Sequence, residues 1–143
     1  MKKLCNLGLT RYIGVSNFEI NELKEAISST RKAEIVANQV HYSIMYKDIE
    51  KHLLPFAIEK KITIQAYQAY SPLERGRIFR HRKLSRIADK VGKTVVQVAL
   101  NYIISRPRTI AIVKTENIEH LKEIIGALDW RLPPKFLEEL ENS

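Results

Sequence analysis

The stretch Ile13-Gly14-Val15-Ser16-Asn17-Phe18 limits the fold more than any other: a short apolar run stops at two small polar residues, and amphipathic helical spacing begins at once. That is a strand feeding a helix, and the step recurs. Near-continuous apolar runs at 12–15, 35–40, 62–66 and 109–113 are each too short for a helix. Helical spacing follows every one of them. The first such stretch, 19–29, sets Ile20, Leu23, Ala26 and Ile27 on one face; the second, 48–60, carries Pro55, which forces a kink or a late start. The others are 83–91 and 95–105 after the third run and 118–128 after the fourth. Apolar strands that alternate with helices build a buried parallel sheet. The order is therefore βα four times, with Pro133-Pro134 opening a short terminal helix and residues 1–9 reading as the end of another, stopped by Gly8.

The punctuation agrees. Ser16 and Glu19 fit the S-x-x-E capping box, Thr94 and Gln97 fit it again, and Gly92 and Pro107 stop their helices. At 143 residues the chain reads as one domain, 1–143, with no linker inside it. A net charge of +8 favours acidic partners without choosing among nucleic acid, an anionic membrane and a phosphorylated cofactor. The single cysteine, Cys5, excludes an intramolecular disulfide and any multi-cysteine zinc site, so a cytoplasmic location is the expectation. Asn6 and Arg11 interrupt the first apolar stretch before it reaches signal-peptide length, and no membrane-spanning run follows. His41, His52, His81 and His120 show no metal-ligand spacing, and no RNA- or DNA-binding signature accompanies the basic charge.

Each strand ends in polar residues, which makes the carboxyl edge of the sheet the ligand edge. Ser16 and Asn17 serve there either as a helix cap or as ligand contacts. Gly14-Val15-Ser16 lacks the second glycine of a nucleophile elbow, since Phe18 stands in its place. Gln39, beside Asn38, offers an amide that both donates and accepts, as recognition of a carboxamide requires. Tyr67 and Tyr70 supply flat rings at the end of the third strand. Glu74-Arg75-Gly76-Arg77, with Arg80, Arg82 and Lys83, is either a solvated basic loop or a phosphate grip, and Lys114-Thr115 after the next strand adds to the second reading.

Taken in order, Ile13-Gly14-Val15-Ser16-Asn17-Phe18, Asn38-Gln39-Val40, Ala69-Tyr70-Ser71-Pro72-Leu73 and Val113-Lys114-Thr115 resemble the aldo-keto reductase family. The resemblance implies the carboxyl-terminal half of a (β/α)8 TIM barrel, four βα units corresponding to strands 5–8, plus the terminal helix. It implies a nicotinamide cofactor, NADP with NAD possible, and the reduction of aldehydes or ketones. Ser16, Asn17 and Gln39 would hold the carboxamide, and Tyr70 would stack on the ring. Ser71, Leu73 and Arg75 would cover the pyrophosphate, and Lys114 and Thr115 would take the 2′-phosphate.

The chain departs from the family pattern in three places. Val113 replaces the usual Pro, and His120 and Ile124 stand where the family sets Arg and Asn, although Glu123 keeps the acidic position between them. Gln65-Ala66-Tyr67 is repeated as Gln68-Ala69-Tyr70, so either Tyr67 or Tyr70 takes the stacking position. The family's catalytic Asp, Tyr, Lys and His belong to the first four strands. The chain alone is therefore expected to bind cofactor without turning it over, and to pair with a complementary amino-terminal half-barrel or with itself. The alternative is a non-enzymatic interaction module built on the basic loop.

Overall fold

The computed structural model describes residues 2–30, 34–70 and 77–142. Four strands, β1 (Ile13–Ser16), β2 (Ile35–His41), β3 (Thr63–Tyr67) and β4 (Thr109–Ala111), form one sheet in the order β1-β2-β3-β4, with every neighbouring pair parallel. Parallel neighbours need crossovers. These are α2 (Ile20–Ser29), α3 (Leu53–Glu59), and the pair α4 (Arg82–Val91) and α5 (Val95–Ile104). Helix α1 (Lys2–Asn6) precedes the sheet, and α6 (Ile118–Ile125) and α7 (Pro134–Glu141) follow it.

Local chemistry explains where these elements start and stop. Gly92 ends α4 at φ 63°, a left-handed conformation that costs glycine nothing, and the Thr94–Gln97 capping box opens α5. Pro55 produces the late start rather than the kink: a 3-10 turn (Asp48–Lys51) comes first, and Pro55 lies in the first turn of α3, where its missing N–H is no loss. Strand β4 is shorter than the apolar run suggests. Ile112 still donates to the Ala66 carbonyl at 2.8 Å, but β3 turns away at Gln68 (φ 57°) and leaves Val113 no ladder to join. Helix α6 likewise ends at Ile125, with Gly126 as its C-cap, before Leu128.

Register divides the sheet into two unlike faces. Asn38, Ile64 and Thr109 lie level on one face, with Val40 and Ala66 beside them, all buried in a single core with Leu23, Leu54, Leu84, Ile103 and Leu140. The other face carries Ser16, Gln39 and Gln65 in one row, ending at Ile110, with His41 and Tyr67 in the next. No described helix buries it: Ile110 is 48% exposed.

Both edge strands are also bordered by exposed apolar side chains. Leu7, Leu9 and Tyr12 precede β1, and Ile118, Leu121, Ile125 and Leu128 follow β4 at the spacing of one helical stripe. Among the described residues the sheet thus has two unpaired edges, one uncovered face and an apolar border at each end, features that invite further packing. No helix among the described residues is long and apolar enough to cross a membrane.

Candidate functional site

The row of polar side chains on the uncovered face meets the ends of β1, β2 and β3 at the carboxyl edge. Ser16 does not cap a helix there. It belongs to β1, and its Oγ donates to the Gln39 carbonyl at 3.1 Å, tying the two strand ends together. The helix begins later because Glu19 is the N-cap, its N–H donating to the Glu22 carboxylate at 2.7 Å. That frees residues 16–18 to form the turn out of the strand.

Asn17 makes the turn. Its N–H donates to the Gln39 carbonyl at 2.8 Å and its φ of 56° is left-handed, a conformation that asparagine tolerates better than other side-chain-bearing residues. The Tyr67 hydroxyl donates to Asn17 Oδ1 at 3.1 Å, and Gln39 Nε2 donates to Gln65 Oε1 at 3.4 Å. Asn38, next to Gln39 but on the buried face, is fully enclosed. Its Nδ2 donates to the Phe18 carbonyl at 2.8 Å and its Oδ1 accepts from the Phe18 N–H at 3.4 Å, so it pins the turn from below.

These bonds leave the Nδ2 amine of Asn17 and the Oε1 carbonyl of Gln39 without a protein partner among the described residues. One amide donor and one amide acceptor are the complement of a primary carboxamide. Two flat rings flank the group. His41 lies between Tyr46, with ring centroids 4.3 Å apart, and Tyr67, stacked at 5.6 Å, and its buried Nε2 has no hydrogen-bond partner among the described residues.

Tyr70 sits further along the edge, its hydroxyl donating to the Lys114 carbonyl at 3.1 Å; burial first, and the Glu123 carboxylate second, hold that hydroxyl above its ordinary range. The Lys114 ammonium points into solvent and pairs with Glu116 at 3.4 Å. Thr115 accepts from the Asn117 N–H at 3.1 Å, in the turn that leads to the Asn117 cap of α6. The expected residues thus fall in two groups. Ser16 and Asn17 bond to Gln39, and Asn17 also to Tyr67, whereas the Lys114 carbonyl, next to Thr115, bonds to Tyr70. Ser71, Leu73 and Arg75 lie outside the described residues.

The sequence reading missed Gln65 and His41 as members of the site. The signal was the two-residue period of a strand: Gln65 shares a face with Tyr67, and His41 with Gln39.

The aldo/keto reductase family model matches residues 1–143. The chain belongs to the aldo/keto reductase family. It is 33% identical to (1S)-1,7-diacetoxy-luvungin A aldo-keto reductase of Citrus sinensis, over 99% of this chain and 44% of the relative. A thermostable aldo-keto reductase crystallised with the inhibitor epalrestat superposes with a TM-score of 0.85 at 36% identity, over 98% of this chain and 51% of the other. An aldo-keto reductase of Klebsiella pneumoniae in complex with NADPH gives a TM-score of 0.84 at 33% identity, with 99% and 51% covered. The chain spans about half the length of the relatives it matches. Its open sheet is half of an aldo/keto reductase barrel, and the uncovered face is the one the barrel encloses.

Proposed function

We propose that this aldo/keto reductase chain is the nicotinamide-nucleotide-binding half of an NADP-dependent reductase of aldehydes or ketones. The observation that carries the reading is the pair of unspent amide groups on Asn17 and Gln39, set beside aromatic rings on the barrel-side face. Bound there, the cofactor supplies a hydride. Asn17 Nδ2 would donate to the carboxamide oxygen and Gln39 Oε1 would accept from its amine, orienting the ring. Tyr67, already bonded to Asn17, takes the stacking position more directly than Tyr70.

Lys114 is the cation for the 2′-phosphate. Its pair with Glu116 is fully in solvent and therefore weak, so a phosphate displaces the carboxylate at little cost. Kinship with the NADPH-bound Klebsiella pneumoniae enzyme supports this choice over NAD. Thr115, Ser71, Leu73 and Arg75 complete the proposed contacts along the phosphates.

Protonation of the developing alkoxide requires a general acid, and the family assigns that role to residues of the first four strands. In our reading the chain alone binds nucleotide but does not reduce a carbonyl. The apolar borders beside β1 and β4 are where a complementary amino-terminal half-barrel, or a second copy, would dock.

Titration of the purified chain with NADPH and NADH, following nucleotide fluorescence and oligomeric state together, tests both parts. Saturable NADPH binding is expected, weakened about tenfold by Asn17→Ala or Gln39→Ala, the worth of one hydrogen bond in a desolvated site. NADH should bind about tenfold more weakly, and Lys114→Ala should abolish that difference. A folded chain that binds neither nucleotide overturns the cofactor assignment; one that elutes as a clean monomer of 16.6 kDa overturns self-association.

A further inference from the structure

A second candidate site lies away from the carboxyl edge. Helix α6 starts four residues after Lys114 and packs against α5, and its eight residues carry the chain about 12 Å from that start. There the end of α4 and the segment leading into α7 enclose a groove of about 760 Å3, a size typical of small-molecule sites. Its walls carry Lys90, Lys93, Arg131 and Lys135 together with the rings of Trp130 and Phe136, and no carboxylate lines it.

The one-sided charge is not simply the basicity of the whole chain. Another large groove among the described residues, about 700 Å3, balances Lys47, Lys51 and Arg106 against Asp48, Glu50 and Glu141. Among the described residues no carboxylate lies within ion-pair distance of Lys90, Lys93, Arg131 or Lys135. Lys90, in the last turn of α4, answers the helix dipole and is accounted for without a ligand. The same account extends to Lys93, just past the Gly92 cap with its N–H on the Ala88 carbonyl, but not to Arg131, which lies outside any helix, or to Lys135, in the first turn of α7.

What the lysines do contact is aromatic. The Lys93 ammonium sits 5.4 Å from the centroid of Trp130, and Lys90 and Lys135 sit 6.0 and 4.8 Å from that of Phe136. Such contacts hold ammonium groups over ring faces while leaving most of their hydrogen-bonding capacity unspent. Several unneutralised cations select a multiply charged anion, and the ring walls select a ligand with a flat apolar part.

We propose that this groove binds a nucleoside phosphate, with phosphate oxygens on Lys93, Lys135 and Arg131 and the base against Trp130. The source is either a free nucleotide or a nucleotide of a single strand, which presents the same two chemical features.

Trp130 is the chain's single tryptophan, so its emission reports on this groove and on no other place. ATP, inorganic triphosphate and a short oligodeoxythymidine are titrated into the wild-type chain, a Lys93→Glu/Lys135→Glu variant and a Lys114→Glu variant. ATP or the oligonucleotide is expected to quench Trp130 saturably, with affinity falling as salt rises. The double variant should bind at least tenfold more weakly while keeping the wild-type circular dichroism, and Lys114→Glu should leave the response unchanged. Tighter binding of ATP identifies a free nucleotide as the source, and tighter binding of the oligonucleotide identifies a strand. No saturable change overturns the proposal. So does a double variant that binds like the wild type, or inorganic triphosphate as tight as ATP, since the rings would then contribute nothing.

Discussion

Replacing Glu50 with alanine is expected to destabilise the fold by about 4 kcal/mol, the cost of breaking a buried, hydrogen-bonded ion cluster. Glu50 sits in the 3-10 turn before α3 and is 19% exposed. Its carboxylate accepts from the Tyr42 hydroxyl just beyond β2 and from the Tyr102 hydroxyl of α5 at 2.8 Å. Arg106 approaches it at 3.7 Å, lies over the Tyr102 ring at 4.4 Å, and pairs with Glu141 at the end of α7 at 2.6 Å. One carboxylate therefore ties together the ends of four elements. Alanine strands two buried tyrosine hydroxyls and leaves Arg106 with a single acid.

For a domain of this size that loss lowers Tm by about 10 °C, which thermal unfolding followed by circular dichroism reads directly. Glu50→Gln keeps an acceptor for the hydroxyls and should lose about half as much. A Glu50→Ala chain within about 1 kcal/mol of the wild type would mean that the cluster is decorative.

The same cluster is expected to make stability fall on the alkaline side. Burial, then the bond to Glu50, pushes the Tyr42 hydroxyl far above its ordinary value of 10.0, and burial pushes Tyr102 up as well despite the opposing Arg106 charge. A phenol whose pKa is raised in the folded state keeps a proton that the unfolded chain has lost. The stabilisation is therefore complete below pH 10 and falls as pH rises beyond it. Tyr42→Phe should be less stable at neutral pH but show a shallower decline on the alkaline side.

Asn101→Leu is expected to cost a similar amount, again about 4 kcal/mol, although the two side chains branch at the same carbon and carry the same number of heavy atoms. Asn101 is fully buried in α5. Its Nδ2 donates to the carbonyls of Ala127 at 2.9 Å and Trp130 at 3.1 Å, and its Oδ1 accepts from the Leu132 N–H at 2.9 Å. Three backbone groups of an irregular segment thus find their partner in one amide, and leucine leaves all three unmatched. Because that segment carries Trp130, the variant should also shift the tryptophan emission toward that of a solvated indole. Asn101→Asp keeps the acceptor for Leu132 but faces two carbonyls with a carboxylate. It should be at least as destabilising as leucine; a milder effect would assign the role to packing instead of hydrogen bonding.

Neither Glu50 nor Asn101 stands out in the sequence. Glu50 lies in a polar helix start that reads as solvated, and Asn101 interrupts an apolar helix run without indicating what it meets. Their partners are Tyr102, Arg106 and Glu141 in one case and Ala127, Trp130 and Leu132 in the other, and only packing brings them within reach. Tyr67 and Gln65 are comparable cases at the candidate site. The duplicated Gln-Ala-Tyr leaves the register of the third strand open, and the pairing of Gln65 with Gln39 and of Tyr67 with His41 settles which residues share the barrel-side face.

Local patterns carried much of the rest. Apolar runs of strand length between amphipathic helices are local properties of the chain, so the four βα units, the parallel order and the stops at Gly92 and Pro107 could be read directly, as could the family motifs at Ser16-Asn17 and Gln39. The capping role expected of Ser16 illustrates the limit. The spacing to Glu19 was correct for a cap, but a serine at a strand end has two competing acceptor and donor sets, and the neighbouring strand offered the Gln39 carbonyl. Sequence by itself determined which segments become strands and helices, because that depends on side-chain periodicity within a few residues. The tertiary structure alone decided which face is left uncovered, which amides remain unspent and where the unpaired cations gather, because each depends on groups far apart in the chain competing for the same partners.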